Sequence, residues 1–306
     1  MLAFVIGGAG FIGRRVVRQL AARGHEVVCL DVVSADFEDL GAQVRMARLD
    51  LTDFEQVVAA MATHKPEVVV NLSYMRESLP RPAMKLNVLG MDNCFEAARL
   101  CDVARVVYSS SIAIHGRQAP YGPRKILETD APHPLKQYAV HKVFNEWQAR
   151  EYREKHGMCI TGIRAAHVAG ADKVIGSVDH VECIVKPALG QPVRFDYRDA
   201  MRCVIHADDM AEVFVRVALA PKPEHAIYNS GGQTLSLGEL ADMVRKFIPD
   251  AQISFAHETG GEERSTAYLF DNQRLVQEFG ISLPPYEQRV AEMIADIRGD
   301  RSLSNG

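Results

Sequence analysis

The chain lacks the patterns that mark several protein classes. Its six cysteines (Cys29, Cys94, Cys101, Cys159, Cys183 and Cys203) include no Cys-x-x-Cys pair. Zinc-ligand spacing and a secreted disulfide framework are both missing, so buried reduced thiols are expected and no metal site. No excess charge of one sign exists: 35 Lys and Arg face 39 Asp and Glu, a formal net charge of −4. A nucleic-acid surface needs a basic surplus, so no such partner is expected. No apolar run approaches bilayer-spanning length, and no membrane partner is expected. The first core strand begins at the second residue and leaves no room for a signal peptide, so the expected location is cytoplasmic. Repeats and low-complexity segments are absent. What remains is a globular chain of 306 residues, enough for one large α/β domain or a domain and a half.

What is present is concentrated at the start. Leu2-Ala-Phe-Val-Ile6 runs into Gly7-Gly-Ala-Gly10-Phe11-Ile12-Gly13 and then into Arg14 to Gly24. A buried strand, a glycine turn and an amphipathic helix follow without a gap. That order aims the positive end of a helix at an anion. Gly8, Gly10 and Gly13 fit the G-x-G-x-x-G spacing, and Gly7, Gly10 and Gly13 a looser form of it. Ile12, Val16 and Leu20 repeat every four residues, as one buried helix face requires. His25 to Asp31 reads as a second strand ending in an acid, where a dinucleotide fold places the carboxylate for a ribose 2′-hydroxyl. Asp31 would repel a 2′-phosphate and Val32-Val33 supply no cation, so NAD is expected over NADP.

Strand and helix then alternate, with strands at Gln43–Leu49, Glu67–Leu72, Val103–Ser109 and Met158–Ile163. Helices are expected over Phe54–Thr63 (capped by Asp53), Ala83–Cys101 and Tyr138–His156. This alternation predicts an α/β fold, a Rossmann-type doubly wound parallel sheet over residues 1–165 with 203–220 returning to it. Residues 166–306 are expected to form a smaller C-terminal α/β substrate-binding domain. Within it, Ala165 to Met201 has no clean period, and Ser236-Leu-Gly-Glu239 opens a helix as a capping box.

Tyr138 and Lys142 stand four apart, on one helix face. A nearby ammonium favours the phenolate. Moving a phenol from about 10 to near 7 needs roughly 4 kcal/mol of differential stabilisation. Ser109-Ser-Ser111 stands at the carboxyl end of a predicted strand, where open α/β sheets bind ligands. Serine, tyrosine and lysine downstream of a nucleotide turn make a coherent hydride-transfer set.

With these residues in place the chain resembles the extended short-chain dehydrogenases/reductases, in the NAD-dependent epimerase/dehydratase group. The resemblance rests on Gly7 to Gly13, Asp31, Asp50-Leu51, Asn87-Val-Leu-Gly90, Tyr108 to Ser111, Tyr138 with Lys142, and Arg164. It continues through Arg202 to Asp209, Tyr228-Asn229 and Asp271. The resemblance implies that Tyr138 is the general acid/base, that Lys142 holds the nicotinamide ribose, and that Ser111 positions the reacting oxygen. It implies NAD contacts from Gly7, Gly10, Phe11, Ile12, Gly13, Asp31, Asp50, Leu51, Asn87, Ser109, Tyr138 and Lys142. Asn87 has an alternative, a buried mid-helix asparagine bonding the backbone. A homodimer paired through the helices starting near Ala83 and Tyr138 is also implied.

Departures bear on substrate. Sugar-nucleotide dehydratases resembling this chain carry an Asp-Glu pair where Ile112-Ala113 stands, so water elimination is disfavoured. UDP-sugar epimerases usually have Tyr-Gly at His115-Gly116, asparagine at His167 and an arginine near Gly261; Arg202 alone matches their phosphate-facing arginine. Candidate contacts to a small-molecule substrate are therefore Arg76, Ser111, His115, Tyr138, His167 and Arg202, each of the arginines and histidines being otherwise structural or solvated. The expected activity is NAD-dependent interconversion of a secondary alcohol and a ketone on a sugar, sugar acid, hydroxy acid or amino alcohol. The alternatives are an NAD-dependent (nucleotide-)sugar epimerase and a non-catalytic NAD-binding protein.

Overall fold

Residues Leu2–Ile6 form strand β1, and its side chains alternate between two buried layers. Ala3 and Val5 enter one core; Phe4 and Ile6 enter another. The next strand, β2 (Glu26–Asp31), repeats the division, with Val27 and Cys29 on the first side and Val28 and Leu30 on the second. Strands apolar on both faces need helices on both sides, which is the condition for a parallel sheet. The computed structural model describes residues 1–75, 80–173, 176 and 178–299.

Between β1 and β2 lies α1 (Gly13–Ala22). Then come β3 (Val44–Arg48), α2 (Phe54–His64), β4 (Val68–Asn71), α3 (Pro80–Met84), α4 (Met91–Leu100), β5 (Arg105–Ser111), α5 (Gln137–His156) and β6 (Ile160–Ala165). The expected alternation of strand and helix is thus present. Asp53 caps α2 by accepting the Gln56 N–H at 3.1 Å. The helix expected from Ala83 to Cys101 is interrupted: Lys85–Gly90 is a π-helical turn joining α3 to α4. Such turns widen the helix by one residue and often stand at functional sites.

The remaining elements are β7 (His167–Ala169), α6 (Asp179–Ala188), β8 (Val193–Tyr197), β9 (Met201–His206), α7 (Ala207–Leu219), β10 (Ile227–Asn229), β11 (Gln233–Ser236), α8 (Leu237–Phe247), β12 (Ile253–His257), α9 (Gln273–Phe279) and α10 (Tyr286–Arg298). Seven strands make the main sheet in the order β10-β6-β5-β4-β1-β2-β3, and every pairing in it is parallel. The segment returning to this sheet is α7 with β10; residues 203–206 instead lie in β9, which pairs with β7 and β11 in a small separate sheet. His206 caps α7, its ring accepting the Asp208 N–H at 3.3 Å.

The stretch from Ala165 to Met201 is more regular than its sequence period. It holds β7, α6 and β8, and β8 pairs in parallel with β12. Val193 and Phe195 alternate inward there, a pattern too short to stand out. Ser236 and Glu239 form the expected capping box on α8. Among the described residues no helix is long and apolar enough to cross a membrane.

Register fixes where a ligand could sit. Ile6 lies beside Asn71, and Asn71 beside Tyr108. Gly7, the loop after β4 and the end of β5 at Ser109–Ser111 therefore lie at one carboxyl edge of the sheet, where open α/β sheets bind ligands.

Candidate active site

The glycine turn is built by close approach. Gly7 adopts φ +76°, and a Cβ on it would lie 2.8 Å from the Ser73 nitrogen. A Cβ on Gly13 would meet the Gly7 carbonyl at 2.1 Å. The positive φ of the tight turn thus belongs to Gly7, while a Cβ on Gly8 would also collide, 2.8 Å from the Val5 carbonyl. Ile12, at the N-cap of α1, supplies no side-chain hydrogen bond, and the first turn carries no acid. A helix N-terminus without its own acceptor suits an external anion such as a pyrophosphate. Arg15 fastens this end, donating to Phe11 O at 2.7 Å, Asp208 at 2.8 Å and Asp172 at 2.8 Å.

Asp31 ends β2 and faces the turn. Its carboxylate accepts the Ala9 N–H at 3.2 Å and the Val33 N–H at 3.3 Å. Asp50 accepts the Thr52 hydroxyl at 2.8 Å and its N–H at 2.9 Å, and these bonds hold its carboxyl below the usual range. Leu51 is buried against Gly90 of the π-turn, and its carbonyl takes the Asn93 amide at 2.9 Å. The glycine turn, Asp31 and Asp50-Leu51, expected as dinucleotide contacts, therefore stand in order at the carboxyl ends of β1, β2 and β3.

The candidate catalytic groups come from β5 and α5. Lys142 is only 2 % exposed and donates to the Ser109 carbonyl. Burial pushes its ammonium down to about 8, while Glu146, one turn further along α5, pulls the other way. The Lys142 nitrogen lies 5.8 Å from the centre of the Tyr138 ring. Ser111 accepts the Ala113 N–H at 3.2 Å, which leaves its own O–H able to donate. Glu146 itself is closed by Arg164, at 2.9 and 2.8 Å, and by the Ser110 hydroxyl. Glu146 continues the four-residue spacing of Tyr138 and Lys142, a signal that periodicity could have used. Tyr74 carried no sequence signal, yet its ring meets Tyr138 at 4.9 Å between centroids.

Other candidates are engaged elsewhere. His115 is 0 % exposed; its ring bonds Tyr121 at 2.9 Å and Arg164 at 3.3 Å. Burial and then Arg164 push it down to about 3, so it is a neutral core residue with no face to a substrate. Arg202 is paired with Asp179 through two nitrogens and donates to Met201 O at 2.6 Å. His167 bonds Cys203 O at 3.1 Å and is held near 3 by burial, then by His180 and Arg202. Asn87 spends both polar side-chain atoms on the Met75 backbone, so the backbone-bonding alternative describes it. Arg76 lies outside the described residues. Away from this edge, Glu224, His225 and Glu278 bring ligand atoms within 4.8 Å of one another, a grouping that Cys-based spacing could not reveal.

A glycine turn, an acid-ended second strand and a tyrosine–lysine helix on one sheet edge define a nucleotide-dependent α/β enzyme. Residues 3–231 match the family described as NAD dependent epimerase/dehydratase, and the chain belongs to it. It is an NAD-dependent enzyme of the extended short-chain dehydrogenase/reductase type. A UDP-glucose 4-epimerase of Rhizobium meliloti (strain 1021) is 28% identical over 304 residues, covering 90% of each chain. The structure is similar to that of the Thermus thermophilus UDP-glucose 4-epimerase complexed with NAD, at TM-score 0.82 and 25% identity over 98% of this chain and 99% of that one. It shares its fold with a GalE-like L-threonine dehydrogenase from Cupriavidus necator, at TM-score 0.86 and 22% identity over 97% and 100%.

Proposed function

We propose that the protein interconverts a secondary alcohol and a ketone on a small polar substrate, with Tyr138 moving the hydroxyl proton. One observation carries this reading. The Gly7 turn abuts Ser73, and the next residue, Tyr74, touches Tyr138, so the nucleotide turn and the phenol are bridged by two adjacent residues. Bound NAD supplies the hydride acceptor there. Gly7, Gly10, Phe11, Ile12 and Gly13 hold its phosphates, and Asp31 takes a ribose hydroxyl. Asp50 and Leu51 bracket the adenine. Lys142 stabilises the phenolate of Tyr138 and, with Ser109, would hold the second ribose. Ser111 donates to the substrate oxygen where charge grows, as preorganised dipoles do.

Substrate class follows from the charges. Arg202 is occupied by Asp179, so it does not present an open fork to a diphosphate. A sugar, sugar acid, hydroxy acid or amino alcohol is favoured. Incubating the protein with NAD and such a panel tests this: NADH appears with one member, and its absence throughout with an inverted sugar product instead supports epimerisation. That second reading rests on the UDP-glucose 4-epimerase of Rhizobium meliloti named above, which aligns along nine-tenths of both chains.

The assembly we propose is a homodimer. Leu89, Val140, Phe144 and Trp147 are large apolar side chains exposed on the π-turn and α5, and contiguous apolar surface marks interaction sites. Light scattering should give twice the chain mass; a monomer mass overturns it. Six free cysteines fit a reducing compartment, and we place the protein in the cytoplasm.

A further inference from the structure

The loop leaving β4 is fastened on both sides of one aromatic residue. On one side, Asn71 accepts the Ser73 N–H at 3.0 Å and its hydroxyl at 2.6 Å. The same Ser73 backbone lies against Gly7, where any side chain would collide with it. On the other side stands Met75. Its N–H donates to Asn87 Oδ1 at 2.9 Å, and its carbonyl accepts from Asn87 Nδ2 at 3.0 Å. Asn87 is buried in the π-helical turn, so this clasp is anchored in the core.

Tyr74 stands between the two fastenings. Its ring crosses that of Tyr138 at 67°. Aromatic pairs at this angle and separation attract edge to face, which gives the contact a direction as well as a strength. Tyr138 thereby has Tyr74 against its ring and Lys142 one helical turn away. We propose that Tyr74 is a positioning residue for Tyr138, and that Asn87 is the clasp that delivers it. The proposal rests on Tyr138 carrying the proton transfer. Its physical content is a restriction: with both flanks of Tyr74 pinned, the Tyr138 ring keeps one orientation, and water is displaced from the flank that Tyr74 covers. Proton transfer needs donor and acceptor within hydrogen-bond reach, so a ring held in place keeps the reacting geometry populated.

The test uses the full chain loaded with NAD and labelled with 3-fluorotyrosine. The Tyr138 fluorine signal is assigned by its loss in Tyr138→Phe. In Tyr74→Ala the Tyr138 signal should move toward that of a solvated tyrosine and broaden, while Tyr74→Phe restores its position. Asn87→Ala should repeat the Tyr74→Ala spectrum; Tyr74 lies partly exposed, so its variants stay interpretable should the buried Asn87 variant misfold. An unchanged Tyr138 signal in Tyr74→Ala overturns the positioning role. Turnover retained by Tyr138→Phe is a different failure: it removes the parent reading and leaves the spectrum to stand as a packing fact.

Discussion

Two polar clusters in this molecule have similar ingredients and opposite designs. On α5, Lys142 is buried, and its carboxylate neighbour Glu146 is already closed by Arg164. The ammonium is held by a neutral carbonyl and sits beside the ring of Tyr138. Between β7, β9 and α6, Arg202 is closed by Asp179, which His180 also approaches at 3.3 Å. Burial opposes ionisation of Asp179, but the His180 and Arg202 bonds overcome it and hold the carboxyl well below its ordinary range. The first cluster keeps a cation available to a phenol. The second spends its charges on itself and ties three elements together. A charged residue near a site is thus informative only once its partner is known.

Breaking the first cluster should have the largest effect. Lys142→Met is expected to lower turnover by about 10²- to 10⁴-fold, the usual range for lost acid–base assistance, with stability little changed. Breaking the second should do the reverse. Asp179→Asn leaves Arg202 without its counter-charge and should cost about 3 kcal/mol in urea unfolding, with less effect on NAD binding. Equal losses of turnover and stability in both variants would erase the distinction.

How much of this was legible depends on range. The β1 strand, glycine turn and α1 helix are local, and so is the Tyr138–Lys142 spacing; each could be read from neighbours in the chain. His115 bonds Tyr121 nearby, but its other partner, Arg164, lies 49 residues on, and the partner of Arg202 is Asp179, 23 residues back. Residue type advertised both as substrate contacts, but nothing in a sequence shows that a fork or a ring nitrogen is already taken. Tyr74 is the opposite case: an undistinguished loop aromatic that only the approach of the loop after β4 to α5 brings to the phenol.

Acid should sharpen the contrast. His115 and His167 are both held down to about 3 in the folded protein, against about 6.5 when unfolded. Between those values the unfolded chain binds more protons, so stability rises with pH there and is lost as pH falls below about 6.5. Each histidine contributes up to about 1.4 kcal/mol per pH unit inside that window. Unfolding free energies measured from pH 7 to 4 should steepen accordingly, and His115→Asn should flatten the slope by about one proton. A smaller change is expected at the cofactor edge: Asp31→Ala should weaken NAD binding by about tenfold in calorimetry, the worth of one charge-assisted hydrogen bond.

The proposed activity stands or falls with proton transfer by Tyr138 beside bound NAD. The most direct measurement pairs NAD affinity with turnover in Tyr138→Phe. NAD should bind within about threefold of the parent while turnover falls by at least about a hundredfold. Turnover that survives the loss of the phenol would show that another group carries the proton.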